Sequence, residues 1–486
     1  MTAAVWPTLG HRFLGDSPVW YKKTILLFLV VNPIVWLFAG GQVCAWLILG
    51  EFIFTLAMAL EAFPLQPGGL LLIEALVLGL ATPENLYREV LNNFPVLLLL
   101  IFMVTAIHFL RDLLMVVFCK ILTATRSQAM LALAFTTSAA FLSAFLDALT
   151  VTAVIITVAT GFHGLIKHAR HSDTISDTDF QQFRDFLCGL MMHSAVGTAL
   201  GGVFTLIGEP QNLLIGEQMG WDFMEFLTQM APVSLPVFVL GLSTCLLLER
   251  SGRFGYGITM PETVKTCLHS VSLGDLTSSR DTDKLTLSIQ ALSAVLLITA
   301  LALHVAEIGL IGLMIIILTT SLNGNNREEQ LAEAFRDGMP FTALLVVFFG
   351  IVAMLHEQHL FSPLIAWVHS LPEELQTSMM FAANGILSSI SDNVFVATIY
   401  IEETRAAFDN GLLTREMFEK LAIAINAGTN LPSVATPNGQ AAFLFLLTSP
   451  LAPLIGLSYS RMVWMALPYT IVLTVSGLAC TTWLLT

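Results

Sequence analysis

Two aspartates within strongly apolar surroundings are the residues whose type and position most directly suggest chemistry. Asp147 interrupts the apolar runs 129–142 and 145–162, and Asp392 interrupts 376–388 and 393–402. An unpaired charge is costly in such surroundings, so a carboxylate there needs a ligand or a proton. Each Asp could instead cap the helix that follows it. Because the Asp recurs at matched positions, we favour cation and proton binding, with which capping is compatible.

Polar neighbours accompany both aspartates. The interrupted runs are too short to cross a bilayer singly, so we predict re-entrant hairpins over 129–162 and 376–402, each with an Asp at its tip. The tips add side-chain oxygens and free backbone carbonyls, which are the groups that hold Na⁺ in transporters. The candidate tip ligands beside the aspartates are Ser143, Ser388, Ser391 and Asn393.

Proline and glycine interrupt two further apolar segments, 186–216 and 420–447. The interruptions are Gly208-Glu-Pro-Gln-Asn212 and the stretch from Pro432 to Gln440. Proline cannot continue a regular helix, and the freed backbone groups need a cavity lined by protein. A kink without any ligand is the alternative; the polar hairpin tip in the same half favours a site. The neutral oxygens available here belong to Thr205, Asn212, Thr436 and Asn438.

Two other ionisable residues are candidate proton carriers. Glu209 lies in the first break, where its counterpart is the neutral Gln440, and His193 lies about one turn before Gly197. A packing role for Glu209 and a merely hydrogen-bonded His193 are the alternatives. No Lys or Arg occurs at either tip or break, which favours a cation over a carboxylate or phosphate substrate. We predict Na⁺ at Asp147 and Asp392, no cofactor and no enzymatic activity.

The composition determines the class of protein that carries these residues. Of the 486 residues, 56% are hydrophobic and 12% are charged. A soluble domain carries about a quarter charged residues, so a soluble enzyme and a nucleic-acid binder are excluded. About 11 spans of about 20 residues would fit the apolar runs. The sequence therefore predicts an all-α protein that crosses the lipid bilayer many times.

The chain repeats itself in order. Leu142-Ser143 matches Leu387-Ser388, and Gly197-Thr198 to Glu209 matches Gly428-Thr429 to Gln440. Five spans per repeat would insert the two copies with opposite topology, as in secondary transporters whose site lies at the repeat interface. We predict four parts: an N-terminal segment with the first span (1–42), a first repeat (43–249), a cytoplasmic linker (250–284) and a second repeat (285–486).

The distribution of basic residues predicts the orientation. With a cytoplasmic N-terminus, only Arg88, Arg405, Arg415 and Lys420 lie outside, and the other 17 of the 21 basic residues lie inside. This agrees with the positive-inside rule and puts the C-terminus on the outer, periplasmic side.

Several long motifs resemble one family, the bacterial NhaB sodium/proton antiporters. The resemblance runs from about residue 11 to the C-terminus. It is carried by the segments 51–60, 141–150, 208–213, 388–395, 428–443 and 461–469.

The resemblance implies export of Na⁺ driven by entry of H⁺ across a bacterial inner membrane, by alternating access. It also implies a homodimer, with Li⁺ as a potential second substrate. A sodium-coupled carrier of a carboxylate or oxyanion on the same fold is the alternative, and a passive cation channel is a less favoured one.

Overall fold

The computed structural model describes residues 12–124, 127–146, 148–171, 175–270, 284–324, 327–360, 363, 367–368 and 370–483. The regular structure of these residues is helical, with no strand among them. The chain divides into two compact units. Unit 1 comprises Met1–Leu97 and Met339–Ser370, and unit 2 comprises Leu98–Gly338 and Leu371–Thr486.

Unit 1 begins with three helices that pack against one another. A positive φ of 87° at Gly40 turns the chain sharply between the first two. Phe28 and Tyr21 on the first helix contact Phe54 on the second, with ring centroids 5.5 and 5.9 Å apart. The helices of the first stretch are α1 (Val19–Ala39), α2 (Gly41–Ala57), α3 (Leu65–Val77), α4 (Pro83–Asn92) and the start of α5 (Phe94–His108).

The first half of unit 2 contains a helix pair and then a broken helix. The pair is α7 (Gln128–Ser143) and α8 (Ala148–His171), and the broken helix is α9 (Asp177–Gly202) with α10 (Pro210–Met219). Pro210 occupies the first turn of α10, where its missing N–H costs nothing. The other helices in this stretch are α6 (Arg111–Ala124), α11 (Phe223–Ser251), α12 (Glu262–Ser270), α13 (Lys284–Ala302) and α14 (Ile308–Asn323).

The second half repeats this order. Helix α15 (Glu328–Glu357) leads to the pair α16 (Glu373–Ser388) and α17 (Asn393–Asp409). The broken helix consists of α18 (Arg415–Asn430), a 3₁₀ turn (Pro432–Ala435) and α19 (Ala441–Thr448). The short α20 (Leu451–Leu454) and the long α21 (Tyr459–Trp483) end the fold.

Several helices are long and apolar enough to cross a membrane. Within the described residues six helices qualify, or seven if α4 and α5, bent by 64°, count as one span. The first arm of the first pair, Gln128–Ser143, belongs to the shorter apolar helices. The second arm, Ala148–Arg170, is by contrast one of the six, so the prediction that this arm is too short to cross a membrane was wrong. The predicted all-α, multi-spanning fold class is confirmed.

Candidate cation site

Glycines bring the first hairpin and the first broken helix into backbone contact. A Cβ on Gly197 would lie 2.5 Å from the Thr136 carbonyl oxygen, and one on Gly201 would lie 1.9 Å from that of Ala140. Both distances are far below a normal contact, so no other residue fits without displacing backbone. Helices α7 and α9 therefore approach as closely as two helices can.

The second half makes the same approach with one exchange. A Cβ on Gly428 of α18 would lie 2.7 Å from the Phe381 carbonyl oxygen of α16, which repeats the Gly197 contact. At the next crossing the glycine is on the hairpin, where a Cβ on Gly385 would lie 2.7 Å from Cγ of Pro432 on the broken helix. Both hairpins are thereby fixed against their own broken helices.

A threonine in each break connects it to its hairpin tip. Thr436 Oγ1 donates to the Ser389 carbonyl over 2.6 Å and accepts from the Gly439 N–H over 3.3 Å. Thr205 Oγ1 donates to the Ala144 carbonyl and accepts from the Gly208 N–H over 3.3 Å. We call these two arrangements the threonine bridges. The bridges bring the breaks that carry Thr205 and Thr436 to the hairpin tips, and both hydroxyls are engaged with backbone groups.

Asp392 lies at the second tip and caps α17. Its Oδ1 accepts from the N–H groups of Val394 and Phe395 over 2.9 and 3.3 Å. Its Oδ2 accepts no hydrogen bond from the described residues. One carboxylate oxygen is thus committed to the helix end, and the other is available for a cation or a proton. Asp147, the matching residue, lies outside the described residues and directly precedes α8 in the sequence.

The serines and the asparagine of the tips divide into two groups. Ser388 Oγ donates to the Thr429 carbonyl over 2.7 Å and also contacts the Asn393 amide, whose Nδ2 lies 3.4 Å from Ser433 Oγ. Ser143 and Ser391 are fully buried, and neither hydroxyl has a hydrogen-bond partner among the described residues. A buried hydroxyl without a protein partner is uncommon. Ser143 and Ser391 are therefore the better candidate ligands.

An amide cluster links the two broken helices. Gln211 Nε2 donates to Asn430 Oδ1 over 2.9 Å, and Asn430 Nδ2 lies 3.2 Å from Asn212 Oδ1. Asn212 Nδ2 also donates to the carbonyls of Gly202 and Thr205, each over 2.6 Å. The predicted ligand Asn212 thus holds the first break in its unwound form.

Glu209 in the first break and its counterpart in the second break, Gln440, both lie in the interior. Glu209 at the start of α10 is 2% exposed and Gln440 at the start of α19 is 0% exposed. Neither amide atom of Gln440 has a partner among the described residues. Asn438, between Thr436 and Gln440, is half-buried. The breaks thus present one buried carboxyl in the first half and one buried amide in the second.

Comparisons with known proteins identify the family of the chain. The family model "Bacterial Na+/H+ antiporter B (NhaB)" matches residues 1–486. The chain belongs to the NhaB family of bacterial Na⁺/H⁺ antiporters. The predicted family is therefore confirmed. The function of this family is sodium/proton antiport.

Curated NhaB relatives match along the whole length. The chain is 57% identical over 500 residues to the "Na(+)/H(+) antiporter NhaB" of Pseudomonas putida strain F1, covering 100% of both chains. It is 55% identical over 494 residues to that of Marinobacter nauticus, covering 98% of this chain and 99% of the relative. These are similar proteins, and their names agree with the predicted function.

A solved structure shares the fold. The Alcanivorax borkumensis YdaH transporter, described as having an unusual topology, is similar with a TM-score of 0.50 and 13% identity. The similarity covers 82% of this chain and 87% of that chain. The NhaB chain thus belongs to a family of membrane antiporters and shares its fold with that solved structure.

His193 of this NhaB chain lies in a separate buried network. Its Nδ1 is 2.6 Å from the Tyr469 hydroxyl, and its Nε2 is 2.9 Å from Glu249 Oε1. Its ring stacks on Tyr256 with centroids 4.3 Å apart. This network joins α9, α11 and α21. The structure therefore gives the predicted proton carrier three specific partners, none of which belongs to a hairpin tip.

Sequence reasoning missed three members of the amide cluster: Gln211, Asn426 and Asn430. Asn426 and Asn430 are one turn apart on α18, both fully buried, and Asn430 Nδ2 donates to the Asn426 carbonyl over 2.9 Å. The available signal was a pair of asparagines at i and i+4 on an apolar face, which places both on one side of a helix. Their partner in the other half could not be deduced from that spacing.

Proposed function

We propose that this NhaB protein exports cytoplasmic Na⁺ in exchange for external H⁺ at a site formed by the hairpin tips. Asp147 and Asp392 are the proposed carriers of Na⁺ or H⁺. The observation that supports this most directly is the divided carboxylate of Asp392. Its Oδ1 caps α17, while its Oδ2 accepts no hydrogen bond from the described residues.

Competition for one oxygen explains the exchange. A carboxylate oxygen that holds a proton is neutral and a poor ligand, whereas an ionised one attracts Na⁺. The two ions therefore exclude each other, and each translocation step carries one of them. The buried hydroxyls of Ser143 and Ser391 and the amide of Gln440 have no partner among the described residues, which fits a set of neutral oxygen ligands. The exchange moves ions without making or breaking a covalent bond, so the proposed activity is transport without a cofactor and without enzymatic chemistry.

The threonine bridges support alternating access. They connect each hairpin tip to its own broken helix, and the glycine contacts fix the same pairs along their length. Hairpin and break would thus move as one body, which keeps the ligands together during the movement. The contacts that recur in both halves support the predicted inverted repeats. The proposed division of the chain is therefore an N-terminal part (1–42), a first repeat (43–249), a linker (250–284) and a second repeat (285–486).

The surroundings of the protein belong to the same proposal. We place it in the bacterial inner membrane with a cytoplasmic N-terminus and a periplasmic C-terminus, as the basic residues predict. Contacts at one end of α10 agree with this orientation. Arg405 and Arg415, both predicted outside, donate there to the carbonyls of Gln218 and Met219 over 2.6 and 2.9 Å, so the two arginines lie on the same side. A homodimer and transport of Li⁺ complete the proposal.

The test separates ion binding from helix capping. Asn caps helices about as well as Asp, so Asp392→Asn removes the charge and keeps the cap. We expect Asp392→Asn and Asp147→Asn each to abolish Na⁺-dependent proton release from inside-out vesicles while the protein still inserts. Asp222→Asn is the matched control, since Asp222 caps α11 by accepting from the Glu225 N–H over 2.7 Å and is exposed. Normal Na⁺ affinity and rate in Asp392→Asn would reduce that residue to a cap.

A further inference from the structure

The three N-terminal helices of unit 1 bring together a pair of acidic side chains around one amide. Asn32 Nδ2 on α1 lies 2.7 Å from Glu51 Oε2 on α2 and 2.7 Å from Glu74 Oε2 on α3. The two carboxylate oxygens are therefore no more than about 5.4 Å apart. We call these three residues the acidic pair and its amide.

Two of the three residues are enclosed by protein, and Glu74 is half-buried. Asn32 is 0% exposed and Glu51 is 4% exposed. The Cys44 thiol donates to the Asn32 carbonyl over 3.4 Å. Asn32 lies eight residues before the turn at Gly40, which is about 12 Å along the helix axis. The acidic pair is thus inside the helix packing of unit 1 and well away from the turn.

Among the described residues, no basic side chain forms an ion pair with the acidic pair, Glu51 and Glu74. Lys22, on the same helix as Asn32, donates to the Gly15 carbonyl over 2.6 Å at the opposite end of that helix. Two ionised carboxylates at this separation in a poorly solvated interior repel each other strongly, so the doubly charged state is disfavoured.

The amide carries a second, independent sign of a ligand. Asn32 Oδ1 is buried and has no hydrogen-bond partner among the described residues. In the present orientation Nδ2 donates one N–H to each of the two carboxylates. A half-turn of the amide exchanges its nitrogen and oxygen with almost no change of shape. Asn32 Oδ1 would then take the place of Nδ2, 2.7 Å from one oxygen of each carboxylate, so that three oxygens face one another.

We propose that this cluster binds one monovalent cation, either a proton shared by the two carboxylates or Na⁺ held by the three oxygens. The site is formed entirely by α1, α2 and α3 of unit 1, whereas the hairpin tips belong to unit 2. It is therefore a second cation site, additional to the proposed transport site. With one positive charge bound, the cluster carries a single negative charge, and the repulsion between the carboxylates is relieved.

Infrared difference spectroscopy on the purified full-length protein tests the proposal. In Na⁺-free choline buffer at neutral pH, wild type should show about one protonated carboxyl band per chain that the double variant Glu51→Gln, Glu74→Gln lacks. Alternatively, when Na⁺ is added, wild type should show a change in its carboxylate bands that the double variant lacks. A band that persists in Na⁺ identifies the proton as occupant, and one that Na⁺ removes identifies Na⁺. Identical bands and identical Na⁺ responses in both proteins would overturn the proposal.

Two controls make the result specific. Glu61→Gln replaces an exposed glutamate just after α2 and should leave the spectra unchanged. Asp392→Asn removes the proposed transport carboxylate and should leave the signal of the acidic pair in place, so failure of one site is distinguishable from failure of the other.

A stability measurement covers the case in which the double variant does not fold. Raising the pH should lower the Tm of wild type more than that of Glu74→Gln, because only the wild type forms a doubly charged pair when its proton is lost. This measurement is made in choline buffer without Na⁺. Equal slopes of Tm against pH would overturn a shared proton, and unchanged ²²Na⁺ binding by the same variant would overturn a Na⁺ site.

Discussion

Removing the hydroxyl of Thr436 should weaken the connection between the second hairpin tip and its break. Valine has the same shape as threonine but cannot donate to the Ser389 carbonyl or accept from the Gly439 N–H, which lie 2.6 and 3.3 Å from Oγ1. Each lost hydrogen bond costs about 1 kcal/mol in these half-buried surroundings. The total of about 2 kcal/mol corresponds to about 30-fold in an equilibrium constant.

We expect this loss to appear as weaker Na⁺ binding, because the bridge keeps the Asp392 tip next to the carbonyls of the break. The half-maximal Na⁺ concentration for relief of a proton gradient in inside-out vesicles should rise in Thr436→Val by up to about 30-fold. Thr436→Ser keeps the hydroxyl and should stay close to wild type. Thr448→Val is the matched control, since Thr448 is exposed and donates only within its own helix, to the carbonyls of Leu444 and Phe445 over 2.9 and 3.2 Å. A serine variant as impaired as the valine variant would refute the role of the hydroxyl.

Three further predictions concern packing, pH and access. Gly201→Ala should cost more than about 2 kcal/mol of stability and reduce the folded yield, because its Cβ would lie 1.9 Å from the Ala140 carbonyl oxygen. Gly161→Ala is the control and should express normally, because a Cβ on Gly161 has nothing within 4 Å. Apparent Na⁺ affinity should strengthen about tenfold per pH unit as pH rises while the proton occupies the site, and then level off; an affinity independent of pH in binding titrations would contradict competition. In a cysteine-free background, Ala144→Cys should react with an impermeant thiol reagent mainly from the cytoplasm and Ser389→Cys mainly from outside, and labelling of both from one face would contradict opposite orientation of the hairpins.

The local interruptions of the chain could be predicted from the sequence because their causes are local. Pro432 comes just after the end of α18, and Pro210 begins α10, where its missing N–H costs nothing. Asp392 could likewise be recognised as a cap or a ligand, since an acidic residue between two apolar runs needs one of these roles. The structure shows it capping α17 with one oxygen.

Partners that are distant along the chain could not be predicted in this way. Thr205 and Thr436 were expected as neutral oxygens near the site, but their acceptors are carbonyls 61 and 47 residues away. Gln211 and Asn430, joined by a hydrogen bond, are 219 residues apart. The threonine pairings depend on how each hairpin packs on its own broken helix, and the Gln211–Asn430 pairing depends on how the two halves pack. Periodicity within one helix contains no information about either.

The exchanged glycine at the hairpin crossings bears on how the two halves diverged. In one half Ala140 faces Gly201, and in the other Gly385 faces Pro432. What the two halves share is a limit on the combined bulk of two facing positions, while the residue at each single position has changed. Gly201 is limited by the backbone of Ala140 and Gly385 by the side chain of Pro432, so only in the second half could a smaller partner make room for a larger residue. A residue-by-residue alignment matches Ala140 with Gly385 and Gly201 with Pro432, which share no residue type. Only the comparison of facing pairs shows that both halves keep a close contact at this crossing.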